Sequence, residues 1–216
     1  IQIAVKTGGS SDPDANVKLR DAIDTARSFN MPKDNIERAI SKGIGAGVNL
    51  EEVTYEGFGP SGIAVIVETA TDNRNRTGQE IKNLFERGGG SLAGPGAVSF
   101  NFEPKGLLFV KKEEKVEEQM LALIDAGVED IEETDDEIEA YVRVDKLGAT
   151  RDKLQESGFT ISSFEIVKNP KNFQVIDNEA LAKKVLAFLD NIENLDDVQK
   201  VYANINIPDE ILHRLT

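Results

Sequence analysis

Residues 63–70, Ile-Ala-Val-Ile-Val-Glu-Thr-Ala, place apolar side chains on both faces of an extended segment. Such a run reads as a central, buried strand, so this part of the chain must build a sheet around it. A strand signal at 53–57 precedes it across Gly59-Pro60-Ser61-Gly62, a hairpin turn, and Val98, Phe100 and Phe102 alternate as a third strand that closes at Pro104. Between them lies a helix with Thr77 and Glu80 in capping-box spacing, Ile81, Leu84 and Phe85 inward, and Gly88-Gly89-Gly90 at its end.

Two helices come earlier. Asp12 reads as the cap of the first, with Pro13 in its first turn and Leu19, Ala22, Ile23 and Ala26 on the inner face. Arg20 and Arg27, seven apart, align on the outer face, with Lys18 on its flank. Met31-Pro32 opens the second, with Ile36, Ala39 and Ile40 inward, Arg38 and Lys42 as i,i+4 neighbours, and Gly43 as the C-cap. Gly43 to Gly47 reads as a linker; no strand precedes it, so a dinucleotide-binding turn is excluded.

Residues 106–168 read as strand, helix (Met120, Leu123, Ile124), two strands about Asp135-Asp136, helix (Leu147, Arg151, Leu154) and strand (Phe164, Ile166). The order β-α-β-β-α-β is that of the ferredoxin-like unit. A helix with Leu181, Val185, Phe188 and Leu189 inward and a last strand with Val201, Ala203, Ile205 and Ile207 on one face follow Asn169-Pro170. These two need partners, and the sheet at 52–104 is the natural one. The expected fold class is therefore α+β with three domains: a helical domain at 1–50, an α+β domain at 51–105 plus 169–216, and a ferredoxin-like domain at 106–168 inserted into it.

Composition removes several function classes. With no cysteine among 216 residues there is no disulfide framework, thiolate metal site or cysteine nucleophile. The lone histidine, His213, excludes a histidine-based triad or a multi-histidine metal site. No apolar run approaches the ~18 residues of a membrane-spanning helix. The net charge of -14 argues against generic polyanion binding, yet the acidity is regional. Residues 1–48 carry 7 basic against 6 acidic side chains, whereas 106–169 carry 8 against 17. Screening over about 8–10 Å leaves room for a local basic patch.

Asn73-Arg74-Asn75-Arg76, placed just before a helix, sets two guanidinium groups beside free amides and the positive end of a dipole, an arrangement suited to phosphate. Arg74 and Arg76 are expected to act jointly with Lys18, Arg20, Arg27, Lys33, Arg38 and Lys42 in holding a nucleic-acid backbone, against the plainer reading of a solvated arginine pair and ordinary charged helix faces. Tyr55, Phe58 and Tyr202 are expected to be core aromatics rather than base-stacking ones. Asn204 and Asn206 read as outward sheet positions that could meet RNA or protein. Neither Gly88-Gly89-Gly90 nor Gly94-Pro95-Gly96 is a P-loop, and Glu56, Glu68 and Asp72 are scattered carboxylates, not a magnesium site. No catalytic residue, metal, cofactor or small-molecule substrate is expected. The acidic stretch at 113–139 could engage a basic partner such as a ribosomal protein.

Four segments together resemble the YebC family, also called the PmpR family, whose mitochondrial relatives are translational activators of cytochrome oxidase. They are residues 30–40, Asn-Met-Pro-Lys-Asp-Asn-Ile-Glu-Arg-Ala-Ile; Tyr55-Glu56-Gly57-Phe58-Gly59-Pro60; Asp72-Asn73-Arg74-Asn75-Arg76-Thr77; and Val201-Tyr202-Ala203-Asn204 with Ile207-Pro208. The likeness covers the chain apart from the family's basic N-terminal segment, which would precede Ile1. It implies three domains with the third inserted into the second, and a DNA-binding transcriptional regulator. The alternative it implies is a ribosome-associated translation factor that binds ribosomal RNA and helps elongation through difficult sequences such as proline runs. A cytoplasmic protein is expected, or a mitochondrial one if a transit peptide lies upstream. The acidic 129–139 stretch departs from the pattern and is no place for nucleic acid.

Overall fold

The computed structural model describes residues 1–28, 31–44 and 50–215 of an α+β chain. Its elements run α1 (Gln2–Thr7), α2 (Val17–Ser28), α3 (Lys33–Ile44), β1 (Glu51–Phe58), β2 (Ala64–Thr71), α4 (Arg74–Gly88), β3 (Ser91–Ala93), β4 (Phe102–Lys111), α5 (Val116–Ala126), β5 (Asp130–Glu133), β6 (Glu137–Val142), α6 (Leu147–Glu156), β7 (Ile161–Pro170), β8 (Gln174–Val175), α7 (Glu179–Glu193), β9 (Val198–Ala203), β10 (Ile205–Asn206) and α8 (Asp209–Leu215). They form two compact units: Ile1–Ser11, Ala39–Glu103 and Asn169–Thr216 make one, Asp12–Arg38 and Pro104–Lys168 the other.

The first unit is organised by β2, which pairs antiparallel with β1 on one side and with β9 on the other in a sheet of order β3-β1-β2-β9. Its two apolar faces meet two different layers. Val65 and Val67 pack with Ile81 and Phe85 of α4 and Val185, Phe188 and Ile192 of α7, and the Phe85 and Phe188 rings meet edge-to-face at 5.2 Å. Ala64 and Ile66 on the opposite face pack with Val98, Phe102 and Tyr202. The second unit carries the sheet order β5-β6-β4-β7, with Leu108, Val110, Ile138 and Ala140 of its strands buried against Leu123 of α5 and Leu154 of α6.

Several local expectations are corrected. Helix α2 starts at Val17, not after Asp12, because buried Asn16 caps it through Oδ1 to the Leu19 amide at 3.1 Å, while Asp12 closes the preceding turn. Gly43 does not end α3 but lies inside its last turn, where a Cβ would stand 2.9 Å from Val5 Cβ and 3.0 Å from the Gln2 carbonyl. Residues 45–47 of the expected linker lie outside the described residues. Helix α4 is capped by Asn73, not by Thr77, which is fully buried one turn in. Ile124 is 55% exposed, the inner face of α5 being carried by Leu123 with Met120 and Ala126.

The expected third strand differs most. Val98 and Phe102 are buried, but Ser99–Asn101 forms a 3-10 turn that swings Phe100 out to 72% exposure. Strand β4 then begins at Phe102 and runs straight through Pro104 to Lys111. The final strand is also broken: β9 ends at Ala203, and β10 pairs parallel with β8 before α8, which no periodicity announced.

Candidate nucleic-acid interface

The loop between β2 and α4 is built from short polar side chains that close on their own backbone. Asn73 Oδ1 accepts the Arg76 amide at 3.1 Å, and the Asn73 amide donates to Thr71 Oγ1 at 2.9 Å. One of the amides expected to be free for an anion is therefore already taken. Arg76 is also spoken for, since its Nη2 reaches Asp72 Oδ1 at 3.0 Å and Asp197 Oδ2 at 2.7 Å. The same Asp197 oxygen accepts the Thr77 hydroxyl at 2.5 Å, and Thr77 lies 2.8 Å from the Thr71 hydroxyl. Burial alone would push the Asp197 carboxyl up; hydrogen bonds from Thr77, Arg76 and Thr71 outweigh it and hold the group below its ordinary value.

Arg74 is different. Its carbonyl accepts the Tyr55 hydroxyl at 3.1 Å, which fixes the first turn of α4 to β1, while its exposed guanidinium makes no hydrogen bond or ion pair among the described residues. The two arginines that look equivalent in sequence thus have separate work: Arg76 is a strut within the fold and Arg74 is a free cation.

The helical cations divide in the same way. Among the described residues, the exposed side chains of Lys18 on α2 and Lys42 on α3 make no hydrogen bond or ion pair, like that of Arg74. Arg20 donates to the carbonyls of Pro13 and Asp14, both at 3.2 Å, stapling the turn ahead of α2. Arg38 donates to the Asp34 carbonyl and to Asn35 Oδ1. Arg27 pairs with Asp24 at 3.3 Å and Lys33 with Glu37 at 3.7 Å, and all four of these side chains are more than half exposed. Such surface pairs are worth about 0–1 kcal/mol and yield readily to a phosphate. Lys42, Arg74 and Arg76 belong to one compact unit, and Lys18, Arg20, Arg27, Lys33 and Arg38 to the other.

The glycine-rich loop at 94–99 has its donors occupied from within. Glu56, only 8% exposed, accepts the amide of Gly96 at 2.8 Å on one carboxylate oxygen and those of Val98 and Ser99 at 2.9 Å on the other. Burial raises the Glu56 carboxyl, but these amides more than offset it and leave the group below its usual value. The side chain fills the place a phosphate would take. Gly88 and Gly90 are equally committed: a Cβ on Gly88 would come 2.4 Å from the Phe188 ring and one on Gly90 2.1 Å from the Phe58 carbonyl. Among the described residues no group of three or more histidine, aspartate or glutamate side chains could hold a metal ion, and no helix is long and apolar enough to cross a membrane.

Asn204 does not face a partner. Its Oδ1 accepts the Ala64 amide at 2.6 Å and its Nδ2 donates to the Asn172 carbonyl at 3.2 Å, so it sews the end of β9 to β2 and to the segment before β8. Asn206 is exposed, as its alternation predicts. Tyr55 and Tyr202 pack on buried clusters, while Phe58 is 40% exposed. The residues that sequence reasoning missed are Glu56 in its structural role and Asp197, whose partners lie 40 or more and 120 or more positions away and leave no local mark.

Residues 1–46 match the family model described as "TACO1/YebC protein N-terminal domain", and 50–205 match "TACO1/YebC second and third domain". A "probable transcriptional regulatory protein" from Dictyoglomus thermophilum is 47% identical over 100% of this chain and 88% of its own length. One from a Sulfurihydrogenibium species is 46% identical over 100% of this chain and 87% of its own. The crystal structure of a conserved hypothetical protein from Aquifex aeolicus superposes with a TM-score of 0.87 at 41% identity, covering 97% of this chain and 87% of that one.

Proposed function

The chain belongs to the TACO1/YebC family, and from that premise we propose that it is a non-enzymatic regulator of gene expression that acts by binding nucleic acid. The observation that carries this reading is that three of the eight candidate cations, Lys18, Lys42 and Arg74, make no hydrogen bond or ion pair among the described residues, in a chain whose net charge is -14. In such a chain most cations are expected to be neutralised by carboxylates; these three, like Arg87, Lys111, Lys146 and Lys184, are exposed and unpaired among the described residues and so open to phosphates. Arg20, Arg27, Lys33 and Arg38 add charge to the unit that carries Lys18, and Arg76 holds the first turn of α4 in place. Backbone contacts of this type position a protein without reading sequence.

In this reading the helical segment 1–50, the α+β domain of 51–105 with 169–216, and the inserted 106–168 domain are three functional parts. The βαββαβ order and the β5-β6-β4-β7 arrangement support a ferredoxin-like assignment for the inserted part. Its 17 acidic side chains against 8 basic at 106–169 make it the part that stays off the nucleic acid and is free for a basic protein partner.

The test is equilibrium binding to duplex DNA and to ribosomal RNA as a function of salt. Each phosphate contact contributes about 0.9 to the slope of log affinity against log salt on duplex and ~0.7 on single strands. Lys18→Glu, Lys42→Glu and Arg74→Glu are each expected to weaken binding and flatten the slope. Unchanged affinity and slope in all three would overturn the reading. Selective duplex binding supports the transcriptional role that the relatives' names carry, and preference for ribosomal RNA assigns the protein to translation.

A further inference from the structure

Two phenyl rings stand in solvent on backbone that is tightly held. Phe100 is 72% exposed and Phe173 48% exposed. Their segments are tied directly together: the Lys171 amide donates to the Asn101 carbonyl at 2.7 Å, Asn101 Nδ2 to the Asn172 carbonyl at 3.1 Å, and Asn172 Nδ2 to Asn101 Oδ1 at 3.0 Å. Lys171 Nζ donates to the Phe100 carbonyl itself at 2.9 Å, which sets an exposed ammonium beside the first ring's backbone and two positions from the second ring. Phe100 sits between buried Val98 and Phe102, and Glu56 grips the amides of Val98 and Ser99 from beneath. On the other side, Gln174 donates its amide to the Asn204 carbonyl at 2.7 Å and its Nε2 to the Ser61 carbonyl at 2.8 Å. All of these residues lie in one compact unit. The rings are exposed by a rigid scaffold rather than by a fraying loop.

We propose that Phe100 and Phe173, with the Lys171 ammonium, form a stacking platform for the unpaired bases of a single-stranded nucleic acid. The chemistry of the three groups decides the ligand. A phenyl face accepts any base face, the ammonium keeps two N–H groups for a phosphate, and no side chain in the set reads a base edge. A duplex hides its base faces in the stack, so the platform serves a single strand, a loop or a melted end. The pre-set backbone lowers the entropy lost on binding. This inference rests on the nucleic-acid reading above, but uses none of the residues that reading relies on.

The test is fluorescence anisotropy at physiological salt with a labelled oligothymidine, an abasic strand of the same length and phosphate count, and a duplex. The proteins are the wild type, Phe100→Ala with Phe173→Ala, and Phe100→Trp with Phe173→Trp. Both rings lie outside the buried core, and thermal unfolding of the variants confirms that they remain folded. The wild type is expected to prefer the base-bearing strand over the abasic one by at least about fivefold. The alanine pair should lose that preference while keeping the salt slope, and the tryptophan pair should retain it. Equal binding of thymidine and abasic strands by the wild type, or a preference that survives the alanine pair, overturns the platform and leaves the rings as anchors for a protein partner. If the wild type binds the abasic strand as tightly as the oligothymidine, with a normal salt slope, only the platform fails; if it binds none of the three at any salt, the nucleic-acid reading fails with it.

Discussion

Arg76 Nη2 lies 2.7 Å from Asp197 Oδ2, joining the first turn of α4 to the start of β9 across 121 positions of sequence. The same oxygen takes the Thr77 hydroxyl, and the Asp197 side chain is only 16% exposed. Asp197→Ala would leave a buried threonine hydroxyl and a guanidinium without this partner. We expect a loss of about 2–3 kcal/mol in urea unfolding, with Asp197→Asn recovering part of it because the amide oxygen can still accept.

That carboxylate also sets a pH dependence. Its folded value lies below the ordinary one, so the unfolded chain binds the proton more readily and stability rises with pH across the interval between the two values. Its contribution is fully present above the unfolded carboxyl value of about 3.9 and is lost as pH falls through the folded one. Glu56 acts with the same sign. Urea midpoints measured downward from neutral pH should fall below about pH 4, and the Asp197→Asn variant should show a smaller fall than the wild type.

Replacing Glu56 by alanine would remove the acceptor of three backbone amides in the 94–99 loop. A cost of about 3 kcal/mol follows from the desolvation of those donors. Hydrogen exchange offers the sharper check: the Val98 and Ser99 amides should lose protection in Glu56→Ala well beyond any change in the strands. Equal protection in both proteins would show that another acceptor holds the loop.

Glycines that look alike in the sequence should behave oppositely. An alanine at Gly90 would put its Cβ 2.1 Å from the Phe58 carbonyl, a backbone atom that cannot rotate away, whereas nothing lies within 4 Å of a Cβ at Gly94. Gly90→Ala is expected to cost about 3 kcal/mol and Gly94→Ala to stay within about 0.5 kcal/mol of wild type in thermal or urea unfolding.

The parts of this fold that could be read from the residues are those specified by local periodicity. The two-faced run at 63–70 became β2 with a layer on each side, and the inner positions Ile81, Phe85, Val185 and Phe188 all fell in its core. What escaped were choices between equivalent local signals. Asp12 and Asn16 are both good caps, and only burial of Asn16 selects it. Val98, Phe100 and Phe102 satisfy a strand's alternation, but Glu56 draws the preceding amides inward and the 3-10 turn that results expels Phe100. In the candidate site, Arg74 and Arg76 were legible as a pair, and their difference was not, because it depends on Asp197 arriving from the far end of the chain.

That difference gives the most discriminating prediction. Arg74→Glu alters an exposed side chain with no hydrogen bond or ion pair among the described residues, so its unfolding midpoint should match the wild type while its affinity for nucleic acid falls and the salt slope flattens by about one contact. Arg76→Glu instead places a third carboxylate beside Asp72 and Asp197, where like charges and the loss of the 2.7 Å bond act together. It should destabilise the fold by about 2 kcal/mol or more. Its affinity should then suffer only through the displaced start of α4, and Arg76→Lys should recover part of both because an ammonium can still reach a carboxylate. If Arg76→Glu left stability untouched while abolishing binding, Arg76 would be a phosphate contact and the strut assigned to it here would be wrong.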